Sequence, residues 1–222
     1  MVSYFEHNKL QRGEIITNRI LNGETCAIVT DAGMPCVSDP GELLIMQCEE
    51  KGIKTIVIPG PTAFASALAI SGLPTGRFTF EGFLSVNKKS RKEHLESLIN
   101  EERTMLFYEA PHKLSNTLKD FANYFPNRKL SIVREITKIH EEVIRTTTDK
   151  AYEDYGETGL KGEIVLVLGG KPHQEEEETY TLSDAVEMAK KLIENGEKAT
   201  TASKEIASLT GFKKNEIYKE LL

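Results

Sequence analysis

The stretch TCAIVTDAGMPCVSDPG, residues 25–41, decides the fold class, because a short apolar run passes directly into a loop of proline, glycine and aspartate. Within it, Thr25–Thr30 predicts a strand, and Asp31–Gly41 predicts the loop that leads into a helix. A second unit of the same kind follows, in which Lys54–Pro59 predicts a strand and Pro61–Ser71 a helix of small residues. Strands that alternate with helices in this way are typical of an α/β domain whose sheet is largely parallel.

Outward from that stretch, hydrophobic periodicity predicts the other elements of a mixed α/β chain. Further strands are predicted at 78–84, 105–109, 129–134, 142–147 and 163–168. Further helices are predicted at 9–21, 43–51, 90–102, 111–125, 150–155, 182–195, 201–209 and 213–222. The predicted domains are an N-terminal α/β lobe over 1–76, a C-terminal α/β lobe over 77–172, an acidic linker over 173–181 and a small helix-turn-helix-like domain over 182–222.

The composition is that of an ordinary globular protein, with 222 residues, 39% hydrophobic and 28% charged, and a net charge of −6. These proportions argue against a disordered chain, and no apolar run approaches the length of a membrane span. Three cysteines and an N-terminus unlike a signal peptide indicate a cytoplasmic protein. The negative charge argues against a DNA-coating protein, and the scattered histidines and cysteines do not predict a metal site.

Polar residues follow several predicted strands, at the edge where α/β sheets bind their ligands. Asp31 comes directly after the first strand, and Thr62 lies in the first turn of the helix that Pro61 opens. Neither a P-loop nor a G-x-G-x-x-G fingerprint occurs, which disfavours ATP and NAD as ligands. Each segment also has a plain structural interpretation: an ordinary turn, a helix packed through small residues or, for the basic run 87–92, a solvated helix start.

Six segments in a fixed order carry a resemblance to a known family. They are TDAGMPCVSDPG at 30–41, IPGPTAFASALAISGLP at 58–74, FEGFL at 80–84, FYEAPHKL at 107–114, REITKIHEE at 134–142 and KGEIVLVL at 161–168. The chain resembles the tetrapyrrole-methylase-like (class III) S-adenosylmethionine-dependent methyltransferases, and most of all the bacterial 16S ribosomal RNA cytidine 2′-O-methyltransferases. The resemblance implies an α/β fold of two lobes with the methyl donor between them, and a small helical domain at the C-terminus.

The resemblance also implies roles for individual residues. Those implied to line the S-adenosylmethionine site are Asp31, Gly33, Met34, Pro35, Thr62, Ala63, Tyr108, Glu109, Ala110, Gly162, Glu163 and Ile164. The candidates for a catalytic base are the strand-end carboxylates Asp31, Glu109 and Glu135, among which the sequence does not choose. The basic residues predicted to contact RNA are Lys88, Lys89, Arg91, Lys92, Arg134 and Lys138. The implied partners are 16S rRNA within the small ribosomal subunit and a second copy of the chain, in a homodimer.

Two other functions remain open on the sequence alone. A tetrapyrrole methyltransferase would have the same fold, although the helical tail and the basic run argue against it. The other is a non-catalytic RNA- or ribosome-binding fragment. It is considered because the family pattern has a further strand and a Pro/Gly-rich loop before the segment that here is Ser3–Asn8. On that pattern the 1–76 lobe is expected to be incomplete, without its first strand and one wall of the donor pocket.

Overall fold

The computed structural model describes residues 1–5, 7–172 and 180–221, which form two compact units, Met1–Pro172 and His173–Leu222. Most of the predicted acidic linker, residues 173–179, lies outside the described residues. The division of the first unit into two lobes between residues 76 and 77 stays a prediction.

The first unit contains a five-stranded mixed sheet in the order β1-β2-β5-β3-β4. Its strands are β1 Phe78–Phe83, β2 Thr104–Glu109, β3 Lys129–Arg134, β4 Glu142–Thr147 and β5 Ile164–Leu168. Strands β1 and β2 pair in parallel, whereas β2 with β5, β5 with β3 and β3 with β4 are antiparallel. All five strands confirm the predictions for residues 77–172 to within one or two residues at their ends.

Nine α-helices occur in the described residues. The helices of the first unit are α1 Lys9–Leu21, α2 Glu42–Glu50, α3 Ala63–Ser71, α4 Lys88–Ser97, α5 Leu114–Tyr124 and α6 Thr148–Tyr155. Those of the second unit are α7 Leu182–Glu194, α8 Ala199–Thr210 and α9 Lys214–Glu220. None of them is long and apolar enough to cross a membrane.

Helices cover both faces of the sheet, which explains why β5 is a continuous apolar run rather than an alternating one. On one face, Ala67 and Leu68 of α3 pack against a buried row that includes Val167 of β5. On the other face lies the main core, in which Phe107 of β2 packs with Phe121 of α5. The side chains of β5 therefore alternate between two buried environments, and every residue of the strand is buried.

The structure corrects two predicted elements, because Thr25–Thr30 and Lys54–Pro59 are not strands. Neither segment makes a backbone hydrogen bond to any other described residue, so the parallel sheet predicted for the 1–76 lobe is absent there. A strand needs a neighbour to pair its N–H and C=O groups, and a run of β-branched residues alone does not supply one. Elsewhere in the region, α1 packs on α2 around Ile16, Leu44 and Cys48, and α3 packs on the sheet.

The second unit is a small three-helix cluster with a core of its own. Residues Ala185 and Ala189 of α7, Ile206 of α8 and Ile217 of α9 are buried together. Helix α7 begins with a capping box, because the Thr181 hydroxyl accepts the N–H of Asp184 while the Asp184 carboxylate accepts the N–H of Thr181. The three predicted C-terminal helices are thus confirmed, with α9 ending at Glu220.

Candidate active site

The loop Asp31–Gly41 has an unusually strained backbone. Cys36 and Ser38 adopt φ values of 70° and 62°, in the left-handed region that side chains other than glycine and asparagine rarely occupy. Gly41, at φ 151°, has to be a glycine, because a Cβ there would lie 2.3 Å from the Cys36 sulfur. Strain of this kind concentrates at binding and catalytic loops. Asp31 opens the loop with an exposed carboxylate that accepts a hydrogen bond from the Thr30 hydroxyl at 3.2 Å.

A second loop, residues 59–62, touches the first. A Cβ on Gly33 would lie 3.6 Å from the carbonyl oxygen of Pro61, and a Cβ on Gly60 would lie 3.7 Å from the Met34 sulfur. The structure therefore brings together the two segments that sequence analysis assigned to the donor site. Their small residues allow the two backbones to approach each other closely.

Tyr108, near the end of β2, joins the sheet to these loops. Its hydroxyl oxygen accepts a hydrogen bond of 3.2 Å from the backbone N–H of Phe64, in the first turn of α3. Thr62 is the N-cap of that helix, but its side chain makes no capping hydrogen bond. Burial raises the pKa of Tyr108, so the phenol remains protonated and able to donate its own hydrogen.

Glu109 follows Tyr108 but points to the other face of the sheet, as alternation along a strand requires. Its carboxylate is buried and accepts hydrogen bonds from the Ala110 N–H, at 2.8 Å, and from the Thr117 hydroxyl. The Thr117 oxygen in turn accepts a hydrogen bond of 2.8 Å from Arg91. Glu109 thus anchors the end of β2 and is already supplied with donors.

The same network accounts for Arg91, which sequence analysis placed among the RNA contacts. Its Nε lies 2.7 Å from the carboxylate of Asp120, and only 16% of its side chain is exposed. An internal ion pair of this kind leaves little of the guanidinium for an external phosphate. Thr117 and Asp120 were not identified from the sequence, because no local pattern marks the partner of a buried arginine across a helix pair.

Glu135 and Glu163 lie at the same edge of the sheet, where β3 ends and β5 begins. The Glu163 N–H donates to the Glu135 carboxylate at 2.8 Å, and the Glu135 N–H donates to the Glu163 carbonyl at 2.9 Å. The Glu163 N–H and the Lys138 ammonium lower the pKa of Glu135. Gly162 leaves room for this carboxylate, since a Cβ there would lie 2.5 Å from it. Glu135 is therefore held as a carboxylate in a fixed position.

The remaining predicted RNA contacts divide into two groups. Arg134 is paired with Glu142 at 2.7 Å and donates to the Lys161 carbonyl, and Lys138 is paired with Glu135 and Glu163. Lys88, Lys89 and Lys92 lie instead on the exposed side of α4. Lys89 and Lys92 make only long, solvated pairs within the helix, and Lys88 has no ion-pair partner among the described residues.

A cavity of about 490 Å³ in the described residues only partly coincides with this site. It lies along residues 24–31 and α1, and its lining includes Asp31, Pro35 and Asp39. Thr62, Tyr108 and the β5 end do not line it. We therefore place the candidate site where the two loops, the start of α3 and the end of β2 meet, rather than in the cavity as a whole.

Comparison with known proteins agrees with this fold. The sequence profile of the Tetrapyrrole (Corrin/Porphyrin) Methylases matches residues 3–152. The Ribosomal RNA small subunit methyltransferase I of Halalkalibacterium halodurans is 40% identical over 220 residues, covering 98% of this chain and 76% of that protein. The protein of the same name from Bacillus subtilis is 36% identical over 221 residues, with 98% and 76% coverage.

Solved structures support the fold. The methyltransferase CobJ matches with a TM-score of 0.56 at 20% identity, over 73% of this chain and 71% of that one. Uroporphyrin-III C-methyltransferase from Thermus thermophilus, solved in complex with S-adenosylhomocysteine, matches with a TM-score of 0.51 at 16% identity, over 75% of each chain.

The α/β fold, the converging loops and the sequence match define a methyltransferase of the tetrapyrrole methylase class. The chain belongs to the tetrapyrrole methylase family and, within it, to the group of the Ribosomal RNA small subunit methyltransferase I proteins.

Proposed function

We propose that this enzyme transfers a methyl group from S-adenosylmethionine to the ribose 2′-hydroxyl of a cytidine in the 16S rRNA of the small ribosomal subunit. The observation that carries the proposal is the contact between the Asp31–Gly41 loop and residues 59–62, next to Tyr108 at the end of β2. Family membership supports the substrate, since relatives up to 40% identical bear the name Ribosomal RNA small subunit methyltransferase I.

The polar groups on the two loops fit the methyl donor. S-adenosylmethionine carries an ammonium group and ribose hydroxyls, and one oxygen of the exposed Asp31 carboxylate can accept a hydrogen bond from them, which leaves the other oxygen for the substrate. Its carboxylate would suit the start of α3, which has no side-chain cap, although the Phe64 N–H there is already bonded to the Tyr108 hydroxyl. Residues Gly33, Met34, Pro35, Thr62 and Ala63 would contact the donor through loop backbone. Ala110 and Gly162 would contribute from the ends of β2 and β5, whereas the Ile164 side chain is buried in the main core, so Ile164 could contribute only its backbone.

Bound there, the donor supplies an activated methyl group, so the protein contributes mainly alignment of the reacting atoms. The three candidate bases differ in availability. Glu109 is buried and each of its carboxylate oxygens already accepts a hydrogen bond, and the lowered pKa of Glu135 makes Glu135 a weaker proton acceptor. We therefore assign the proton-accepting role to Asp31, the exposed carboxylate, and positioning roles to Glu109 and Glu135.

The RNA-binding surface that we propose is the exposed lysine face of α4, formed by Lys88, Lys89 and Lys92. A local basic face is sufficient for a structured RNA substrate even in a chain with a net charge of −6. This substrate would place the reaction in the cytoplasm. The homodimer that the family resemblance implies is part of the same proposal.

Replacement of Asp31 tests the proposal. Because the side chain is exposed, Asp31→Asn should leave the unfolding free energy within about 0.5 kcal/mol of wild type. Methylation of unmodified 30S subunits should fall by roughly 100-fold or more, the loss expected when a base is removed. The matched control is Asp154→Asn, an exposed aspartate on α6, which should methylate at the wild-type rate.

Methylation assays, together with calorimetry of S-adenosylmethionine binding, separate the remaining possibilities. Methylation by Asp31→Asn at the wild-type rate would show that the donor site is misplaced. A wild-type chain that binds 30S subunits but not S-adenosylmethionine would instead be a non-catalytic binding protein. Methylation of a tetrapyrrole rather than of 30S subunits would assign the alternative substrate class.

A further inference from the structure

A bulge in β1 turns an aromatic side chain toward the candidate active site. The ladder pairs Phe80 with Leu106 and then Gly82 with Phe107, so Glu81 is an extra residue in β1. Gly82 allows this, with φ at +64°. Because side chains alternate along a strand, one inserted residue moves every later side chain to the opposite face.

The consequence of the bulge is the position of Phe83. Without the extra residue, Phe83 would lie on the face opposite to Phe80. With it, Phe83 pairs with Tyr108 and shares its face, and the two ring centroids are 5.5 Å apart. Bulges occur often beside active sites, where they redirect a side chain.

The Phe83 ring is not part of a core. Phe80 packs between Phe64, at 4.6 Å, and Tyr108, at 5.0 Å, and Phe78 lies against Phe64 at 6.3 Å. Phe83 extends the cluster at the edge of the sheet and remains 55% exposed. Since Tyr108 is hydrogen bonded to the start of α3, the open side of Phe83 lies one ring away from the proposed donor site.

The chain just after Phe83 carries positive charge, because Lys88 and Lys89 follow within a few residues. Leu84 is buried and fixes the strand end, and Asn87 caps α4 by accepting the N–H groups of Lys89 and Ser90. This cap sets Lys88 and Lys89 at the solvent-exposed start of the helix. The nearby Glu81 does not cancel their charge at the surface, because its carboxylate turns inward to His94 at 2.8 Å.

We propose that an unstacked base of the RNA substrate stacks on Phe83, and that Lys88 and Lys89 bind the adjacent phosphates. An exposed aromatic ring beside lysines is the combination that recognises single-stranded RNA, because the ring takes the base and the ammonium groups take the backbone. The inference rests on the proposed function, since it names the substrate contact of that same site.

The test compares two RNA probes with the full chain: a short single-stranded cytidine oligonucleotide and an abasic oligonucleotide of the same length. Phe83→Leu should weaken binding of the cytidine probe by roughly 5- to 150-fold, the range for one stacked base, and should leave binding of the abasic probe unchanged. Phe83→Tyr keeps a ring and should restore the wild-type affinity.

Two further variants separate the ring from the charges. Phe78→Leu removes another exposed ring from the same strand, at its far end, and should not change the affinity for either probe. Lys88→Ala should weaken the binding of both probes alike and reduce the magnitude of the slope of log affinity against log salt by about 0.7.

The remaining outcomes overturn the inference in distinct ways. If Phe83→Leu binds the cytidine probe and 30S subunits like wild type, the stacking proposal fails and the proposed function stands. If Phe83→Leu instead weakens S-adenosylmethionine binding, the ring stacks on the donor. If it changes the sedimentation of the chain, the ring belongs to a contact between copies. If wild type binds neither RNA probe nor 30S subunits, the proposed function fails as well.

Discussion

Two short runs of this chain are both rich in β-branched apolar residues but have opposite surroundings. IVLVL, residues 164–168, is the central strand β5, paired on both sides and covered on both faces. TIVIP, residues 55–59, forms no ladder, and its Ile56, Val57 and Ile58 are 80%, 66% and 85% exposed. The difference shows that β-branched residues only favour a strand. Neighbouring strands and covering helices decide whether the strand forms.

The contrast extends to the candidate active site, which has one half on each kind of scaffold. Tyr108, Glu109 and Glu135 lie at the ends of paired strands, and their positions are fixed by the sheet. Asp31 follows the unpaired Thr25–Thr30 segment, so its loop is held by contacts with residues 59–62 and not by a ladder. Sites built on strands are positioned more rigidly than sites carried by loops.

Hydrogen exchange should give the largest difference between the two runs. Amides of β5 should exchange only through global unfolding, which costs about 5–15 kcal/mol for a domain. Amides of residues 55–58 should exchange with an opening free energy near zero. Exchange followed by mass spectrometry or NMR measures both in one sample. Strong protection of residues 55–58 would mean that they pair with a strand in solution, and the comparison would then fail.

Truncation of one side chain in each run should give the next largest effect. Leu166 is fully buried in β5, so Leu166→Ala should lower the unfolding free energy by about 2–5 kcal/mol. Ile58→Ala removes an exposed apolar side chain and should change it by no more than about 0.5 kcal/mol. Denaturant titration checks both variants, and equal losses would show that Ile58 is buried in solution.

The same physics explains how much of the fold the sequence predicts. Strands β1 to β5 are identified correctly because each apolar pattern coincides with neighbours that pair it. Thr25–Thr30 and Lys54–Pro59 have apolar patterns as strong as those of β1 to β5. However, whether a strand pairs depends on distant segments, which its own residues do not specify. The α1, α2 and α3 helices are predicted correctly, since their hydrogen bonds are local.

The candidate site is predictable to a similar extent. Loops rich in proline and glycine mark Asp31–Gly41 and residues 59–62, and the structure brings them together. The sequence does not reveal that Arg91 is neutralised by Asp120, or that a bulge at Glu81 redirects Phe83. Both depend on register and on contacts between elements, which have no signature in a single segment.

The acid titration of Glu135 should give the smallest effect and sharpens the contrast between the two halves of the site. Its folded-state pKa is lowered, so its contribution is complete above the unfolded pKa of about 4.3 and is lost as the pH falls through the lower folded value. The amide proton of Glu163, which donates to this carboxylate, should therefore keep its chemical shift to a pH below the usual glutamate range. Glu135→Gln should abolish that titration, whereas Glu153→Gln, at an exposed position on α6, should leave it unchanged. An unperturbed glutamate would make the Glu163 amide shift titrate near pH 4.3. That result would show that the β3 end is held no more firmly than the Asp31 loop.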